Sequence, residues 1–187
     1  MTTKKTRKKS PSDLQVIDKF LPTNDFIELK DIFTNQDTAW YKSNGISAND
    51  STNLMVNPLD NYYFVHLIYL NYMQTSSRFE DIRNMFETAL KKRVGMKFRQ
   101  IVRIKANMYT RTEEVQVHPF HTDTSDIEGL RGLVLSLNTC DGYTGFEDGT
   151  EVDSIENRAV LFDSTKPHHS TGCSNAPYRL NININYL

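Results

Sequence analysis

His121-Thr122-Asp123 places an imidazole and a carboxylate two residues apart. In an extended strand, residues i and i+2 project from the same face, so the two side chains would enter one space. A second imidazole would complete the two-histidine, one-carboxylate set that holds non-haem Fe(II) on one face and leaves the opposite positions open. Lys166-Pro167-His168-His169 supplies candidates, with His168 45 residues beyond Asp123. Adjacent histidines cannot easily both point inward, and residue type and spacing leave either as the third ligand. Arg179 follows His168 by eleven residues. Its permanent charge and planar donors match a carboxylate, and burying it without an anion is costly. His118 makes a His-x-x-His spacing with His121. On a helix the two would share a face. Val115, Val117 and the restriction Pro119 imposes favour an extended chain, which turns His118 away and leaves it a supporting or surface role. The plainer alternative is that His121 and Asp123 are an ordinary hydrogen-bonded surface pair.

Such a set needs strands to carry it. VQVHPFHTD over 115–123 reads as one, and it lies in a series with 96–109, 129–138, 142–152, 156–164 and 178–187, separated by Gly, Asp and Asn turns. Short strands at this spacing point to a sandwich or barrel. Helices come earlier. After a strand over 14–21, Pro22 and Thr23 open a helix through Phe33, with Phe26, Leu29, Ile32 and Phe33 at helical spacing. The stretch 76–94 is the better helix, with Ser77 as N-cap, Glu80 three residues on, and Lys91, Lys92 and Arg93 before Gly95. Between the helices, 62–71 is a β-forming run. His66 within it reads as a packed core or edge histidine. Trp40 and Tyr41 suggest a short strand, and 43–61 a long polar loop that suits either a lid or binding loop or a disordered insertion. Helices first and strands after suggest that the helices cover one outer face of the sheet.

At 187 residues and 38% hydrophobic, the chain suits a single folded domain over 13–187 behind a basic tail over 1–12. The tail carries five basic residues and no acidic one, which leaves 17 basic against 23 acidic residues in the remainder. That acidic body argues against a broad nucleic-acid face, although the tail would suit an acidic partner. No apolar run is long enough for a membrane span, and no apolar segment follows the basic start as in a secretory signal. Two cysteines make no disulfide framework. A cytoplasmic setting is expected, and the oligomeric state is open.

With these motifs in place, the chain after its tail resembles the Fe(II)/2-oxoglutarate-dependent dioxygenases. The likeness is to the prolyl-hydroxylase-like branch and to small phage-encoded oxygenases. LQVIDKFLPTNDFIELK is similar to the strand-helix opening of that group. NMYTRTEEVQVHPFHTD is similar to its strand with a Tyr about a dozen residues before the first ligand. LSLNTCDGYTGFEDG, NRAVLFDSTKPHHS and YRLNINI resemble its Leu-Asn strand with a Gly-x-Thr-x-Phe element, its strand ending in Pro-His, and its Arg-bearing strand. The resemblance implies a mainly β protein with flanking helices around a double-stranded β-helix (jelly-roll, cupin-like) core. It implies iron held by His121, Asp123 and His168, with the Pro-His placement favouring His168 over His169. It further implies Arg179 on the distal carboxylate of 2-oxoglutarate, Tyr109 near the cosubstrate, and Asn181 as a donor beside Arg179. The cofactors would be Fe(II), 2-oxoglutarate and O2. The reaction would be hydroxylation of an unactivated C–H bond with release of succinate and CO2. Asp123 favours hydroxylation, since related halogenases lack that carboxylate. Ser136 stands where the family often has Tyr, and Asp141 replaces the first of two glycines. The substrate implied is a peptidyl prolyl or other amino-acid side chain. Alternatives are a small metabolite, a modified nucleic acid, or a cupin-like barrel that uses another metal or is a non-catalytic binding module.

Overall fold

In YRLNININY every second residue is cationic or a carboxamide, and those between are Leu, Ile or Tyr. A strand with that alternation has one polar and one apolar face. The computed structural model describes residues 14–44, 62–123 and 127–187, and there this stretch is strand β11 (Tyr178–Tyr186) near the middle of the principal sheet. The elements before it are β1 (Gln15–Ile17), α1 (Thr23–Thr34), β2 (Tyr41–Asn44), β3 (Tyr62–Leu70), β4 (Met73–Gln74), α2 (Phe79–Val94), β5 (Ile101–Thr110), β6 (Arg131–Ser136), β7 (Tyr143–Phe146), β8 (Glu151–Asp153), β9 (Ala159–Asp163) and β10 (His168–Ser170).

The principal sheet runs β1-β9-β6-β11-β5-β3-β2, with β4 paired to β3, and every pairing is antiparallel. Its apolar face carries Ile104, Ala106, Leu133, Leu135, Leu161, Leu180, Ile182 and Ile184. These pack with Phe26, Leu29 and Phe33 of α1 and Ile82, Phe86 and Leu90 of α2. Helices therefore do cover one face of the sheet. A second sheet, β10-β7-β8, provides the other half of the jelly-roll core. A smaller apolar group of Val134, Val152, Val160 and Phe162, with Phe146 against it, draws on both sheets. Register sets the polar face: Arg103 is opposite Asn185, Lys105 opposite Asn183, Asn107 opposite Asn181 and Tyr109 opposite Arg179. Paired residues share a face, so these eight side chains form two polar columns on one side of the sheet.

Several expected boundaries shift. The strand expected over 115–123 is not regular. It makes isolated bridges at Val117–Thr171 and His121–His168. Pro119 between them has no N–H to give, which interrupts the ladder. The expected strand over 142–152 is a hairpin of β7 and β8, turning through Gly149 at φ 83°. The first strand is confined to Gln15–Ile17. Ser77 does not cap α2: Ser76 Oγ accepts the Arg78 N–H at 3.4 Å, and the helix starts at Phe79. Its end is as expected, with Gly95 in the left-handed region at φ 73°. His66 is a packed histidine, held between the Ala39 carbonyl (2.9 Å) and Ser76 Oγ (3.1 Å) beside Phe33 and Trp40. The tail over 1–12 and all but the first two residues of the 43–61 loop lie outside the described residues. Among the described residues, no helix is long and apolar enough to cross a membrane.

Candidate metal centre and anion site

His121 and His168 sit directly opposite one another and exchange both backbone hydrogen bonds at 2.9 Å. A directly opposed pair projects to the same side, and the two rings lie 4.6 Å apart. The cross-strand pairing, more than an i, i+2 relation on a regular strand, brings the imidazoles together. Asp123 follows with its N–H on the Ser164 carbonyl at 3.1 Å, which turns its carboxylate toward them. Asp123 Oδ2 is 3.7 Å from His168 Nε2, and one ligand atom from each of the three residues falls within 4.8 Å of the others.

The chemical state of these groups suits a cation. His121 Nδ1 lies 3.3 Å from the Pro119 carbonyl and His168 Nδ1 2.9 Å from the Lys166 carbonyl. A carbonyl only accepts, so each Nδ1 carries a proton and each Nε2 is the ring atom left to meet a cation. Burial, reinforced by His168, pushes the His121 pKa down to about 4, so the ring is neutral at pH 7. Burial works to raise the Asp123 carboxyl, but Arg103, His168 and the Asn185 hydrogen bond outweigh it and hold the group below its ordinary value. Arg103 Nη2 donates to Oδ1 at 2.8 Å and Asn185 Nδ2 to Oδ2 at 2.7 Å, which orients the carboxylate and keeps it anionic. Two imidazoles and one supported carboxylate, converging on one point, fit Fe(II) by donor type and number.

His169 borders the same cavity, but its ring is turned away from the cluster. One residue further along β10, it faces the opposite side. Its ring lies over Gly145, where a Cβ would come within 2.1 Å of Nε2, and it is flanked by Phe120 and Tyr143. His118 is not a surface residue. It is buried, with Nδ1 2.7 Å from Ser170 Oγ and its ring 5.0 Å from Tyr109.

Arg179 stands at the far end of the polar face from Asp123, on the same cavity. It is 1% exposed. Its Nε donates to Ser154 Oγ at 2.6 Å, Nη1 to the Thr171 carbonyl at 3.0 Å and Nη2 to Thr144 Oγ1 at 3.0 Å. All three acceptors are neutral, and no ion pair among the described residues includes this guanidinium. Burial works against its charge. A buried cation oriented by neutral groups, with no anion among the described residues, has the donor geometry that suits a carboxylate. Gly142 is required for it: a Cβ there would lie 2.7 Å from Arg179 Cδ and 2.3 Å from the Gly172 carbonyl.

The remaining expected residues also face this cavity. Tyr109 stacks on Tyr63 at 5.4 Å and lies 5.8 Å from the Arg179 guanidinium; burial pushes its phenol up to about 12, so it is a neutral donor. Asn181 Oδ1 accepts from Asn107 Nδ2 at 2.9 Å. Asp141 takes on a structural task, accepting from the Ser174 N–H and hydroxyl across the turn before β11. Sequence reasoning did not assign Arg103, Lys105, Asn185, Ser154 or Thr171. For Arg103, Lys105 and Asn185, the polar alternation of β5 and β11 was the available signal.

No family model and no curated protein matches the chain. Solved structures do. A prolyl hydroxylase from Trichoplax adhaerens, in complex with a hypoxia inducible factor oxygen degradation domain peptide fragment, is similar over 93% of this chain and 83% of its own, at 17% identity and TM-score 0.60. A Pseudomonas putida prolyl-4-hydroxylase is similar over 92% and 91%, at 14% identity and TM-score 0.58. A Burkholderia pseudomallei oxidoreductase of the 2OG-Fe(II) oxygenase family covers 92% and 84%, at 10% identity and TM-score 0.66. The fold is thus the double-stranded β-helix found in 2OG-Fe(II) oxygenases, prolyl hydroxylases among them, as the sequence motifs led one to expect.

Proposed function

We propose that this protein is an Fe(II)- and 2-oxoglutarate-dependent dioxygenase that hydroxylates an amino-acid side chain. One observation carries the reading: His121, Asp123 and His168 converge at one end of a polar cavity, and a buried Arg179 without a carboxylate partner among the described residues stands at the other. A metal site alone fits many cupin-like proteins. The distant unpaired guanidinium is what a dicarboxylate cosubstrate requires and what the other readings leave without a use.

In this reading His121, Asp123 and His168 hold Fe(II). When bound, the metal with 2-oxoglutarate and O2 supplies the oxidising chemistry that yields succinate and CO2 and inserts one oxygen atom into a C–H bond. The protein supplies position. Arg103 and Asn185 keep Asp123 charged and aimed. The carbonyls of Pro119 and Lys166 fix both imidazole tautomers. Arg179, set by Ser154, Thr171 and Thr144, receives the distal carboxylate of 2-oxoglutarate, with Tyr109 and Asn181 beside it. Val134 and Phe162 wall the interior with apolar surface and limit water near the reacting atoms. A cleft of about 330 Å³ between Phe146, Phe162 and Pro167 adjoins the His168 strand and offers room for a side chain on a peptide.

The peptide assignment draws on the neighbours named as prolyl hydroxylases, one of them bound to a peptide. A free amino acid or small metabolite is the alternative. Cys140 and Cys173 are buried free thiols, which suits a cytoplasmic setting, in a host cell if the gene is carried by a phage. The test is incubation with Fe(II), 2-oxoglutarate and O2, with succinate as the readout. Slow succinate formation without added substrate, lost on Asp123→Ala, is expected. No turnover together with no 2-oxoglutarate binding would favour a binding module.

A further inference from the structure

Beyond Arg179, the same cavity holds a second cation with no anion of its own among the described residues. Lys105 of β5 lines it together with His121, Asp123 and His168. Its nearest polar partner is the neutral Tyr63 hydroxyl, 3.5 Å from Nζ, and the ammonium lies 5.5 Å from the Tyr63 ring. No ion pair among the described residues includes it. Across the strand pair stands Asn183, and two residues on along its own strand Asn107; the buried Oδ1 of each has no hydrogen-bond partner among the described residues. Carboxamides do not neutralise an ammonium. Burial lowers the Lys105 pKa and Arg103 adds to this, against weaker opposition from Tyr63 and Asp123. A Lys would be an expensive choice for filling this position unless something anionic meets it.

The other charges are already accounted for. Asp123 is paired with Arg103. On the reading above, the metal would draw on Asp123 as well and on one carboxylate of 2-oxoglutarate, and Arg179 would take the other, so none of these anions is free for Lys105. Lys105 remains. We propose that Lys105 anchors a carboxylate of the primary substrate, so that the protein acts on an acidic substrate whose anionic group lies close to the carbon attacked. The two unpartnered Asn oxygens beside it would accept N–H or O–H groups of the same molecule. The inference rests on the dioxygenase reading and narrows its substrate class. The carboxylate has two possible sources, the α-carboxylate of a free amino acid or the side chain of an Asp or Glu in a peptide.

The test is calorimetric binding to protein loaded with Fe(II) and 2-oxoglutarate without O2. The probes are free L-amino acids paired with their α-carboxamides, and end-blocked Gly-Pro-Asp-Gly and Gly-Pro-Glu-Gly peptides paired with their Asn and Gln counterparts. At least one acid should bind about 10-fold or more tighter than its amide, as expected for a charge-assisted contact in a buried site. Lys105→Met should reduce that preference to within about 2-fold, while Lys105→Arg keeps most of it, which separates lost charge from lost folding. The arm that responds identifies the source. Equal binding of acids and amides, no binding by any acid, or a preference that survives Lys105→Met would overturn the inference. If 2-oxoglutarate still binds in an Arg179-dependent way, the dioxygenase reading stands without it; if 2-oxoglutarate does not bind the wild-type protein, both fall.

Discussion

His168 and His169 are neighbours of the same type, and one hydrogen-bonded bridge separates their roles. The pairing of His168 with His121 aims His168 into the cavity, and strand alternation then aims His169 at Gly145. His168→Ala should therefore abolish Fe(II) binding while His169→Ala largely retains it, as read by metal titration; the reverse outcome would reassign the ligand. Arg103→Met or Asn185→Leu should weaken metal affinity by about 10- to 100-fold without touching a ligand, because each frees one oxygen of Asp123 from its orienting donor. At this scale the sequence was informative about residue type and spacing: His121, Asp123, His168 and Arg179 all line one cavity. It was silent on partners. That Thr171 offers its carbonyl to Arg179, or that Asp141 ties down Ser174, depends on chain reversals that no local pattern encodes.

Strands and helices position these residues by alternation. β11 and β5 turn their apolar residues toward the helices and their polar residues toward the cavity, so the sheet that forms the core also carries the site. Ile182 is fully buried beneath the helices, and Ile182→Ala should cost about 2–5 kcal/mol of stability by chemical denaturation. A change in the denaturation midpoint equivalent to less than about 0.5 kcal/mol would show that the site had collapsed around the gap or that the packing is looser than described. Both helices and most strands were legible, since their period is set by which face is buried. The 115–123 segment was not, because Pro119 breaks the ladder while leaving the chain extended enough to bridge at His121. Ser77 looked like a cap because it stands at the usual distance from Glu80; Ser76 holds the start of α2 and His66 together instead.

Across the whole molecule, the cavity concentrates buried titratable groups, and their cost appears in the pH dependence of folding. Burial, with Arg179 adding to it, lowers the His118 pKa from 6.5 to about 3. The folded protein thus holds this ring neutral where the unfolded chain would protonate it. That contribution to stability is fully present above about pH 6.5 and is lost progressively as pH falls toward 3. Thermal unfolding of the metal-free protein should show a falling midpoint below about pH 6.5, and His118→Gln should flatten that acid limb. An unchanged limb would place the acid sensitivity elsewhere. The two-layer β architecture was visible in the turn spacing, but the closing of β10-β7-β8 over the polar face was not, because the hairpin at Gly149 and the pairing of β10 with β7 are long-range choices. What the closed form creates is a cavity with the His121, Asp123 and His168 cluster at one end and the buried Arg179 at the other. The most direct test is calorimetric titration of 2-oxoglutarate into the Fe(II)-loaded protein without O2, alongside Arg179→Met. The wild-type protein should bind and the variant should lose roughly two orders of magnitude in affinity or more, as when one partner of a buried charge pair is removed. Equal affinity in the two proteins, or none in either, would contradict the assignment of Arg179 and with it the dioxygenase reading.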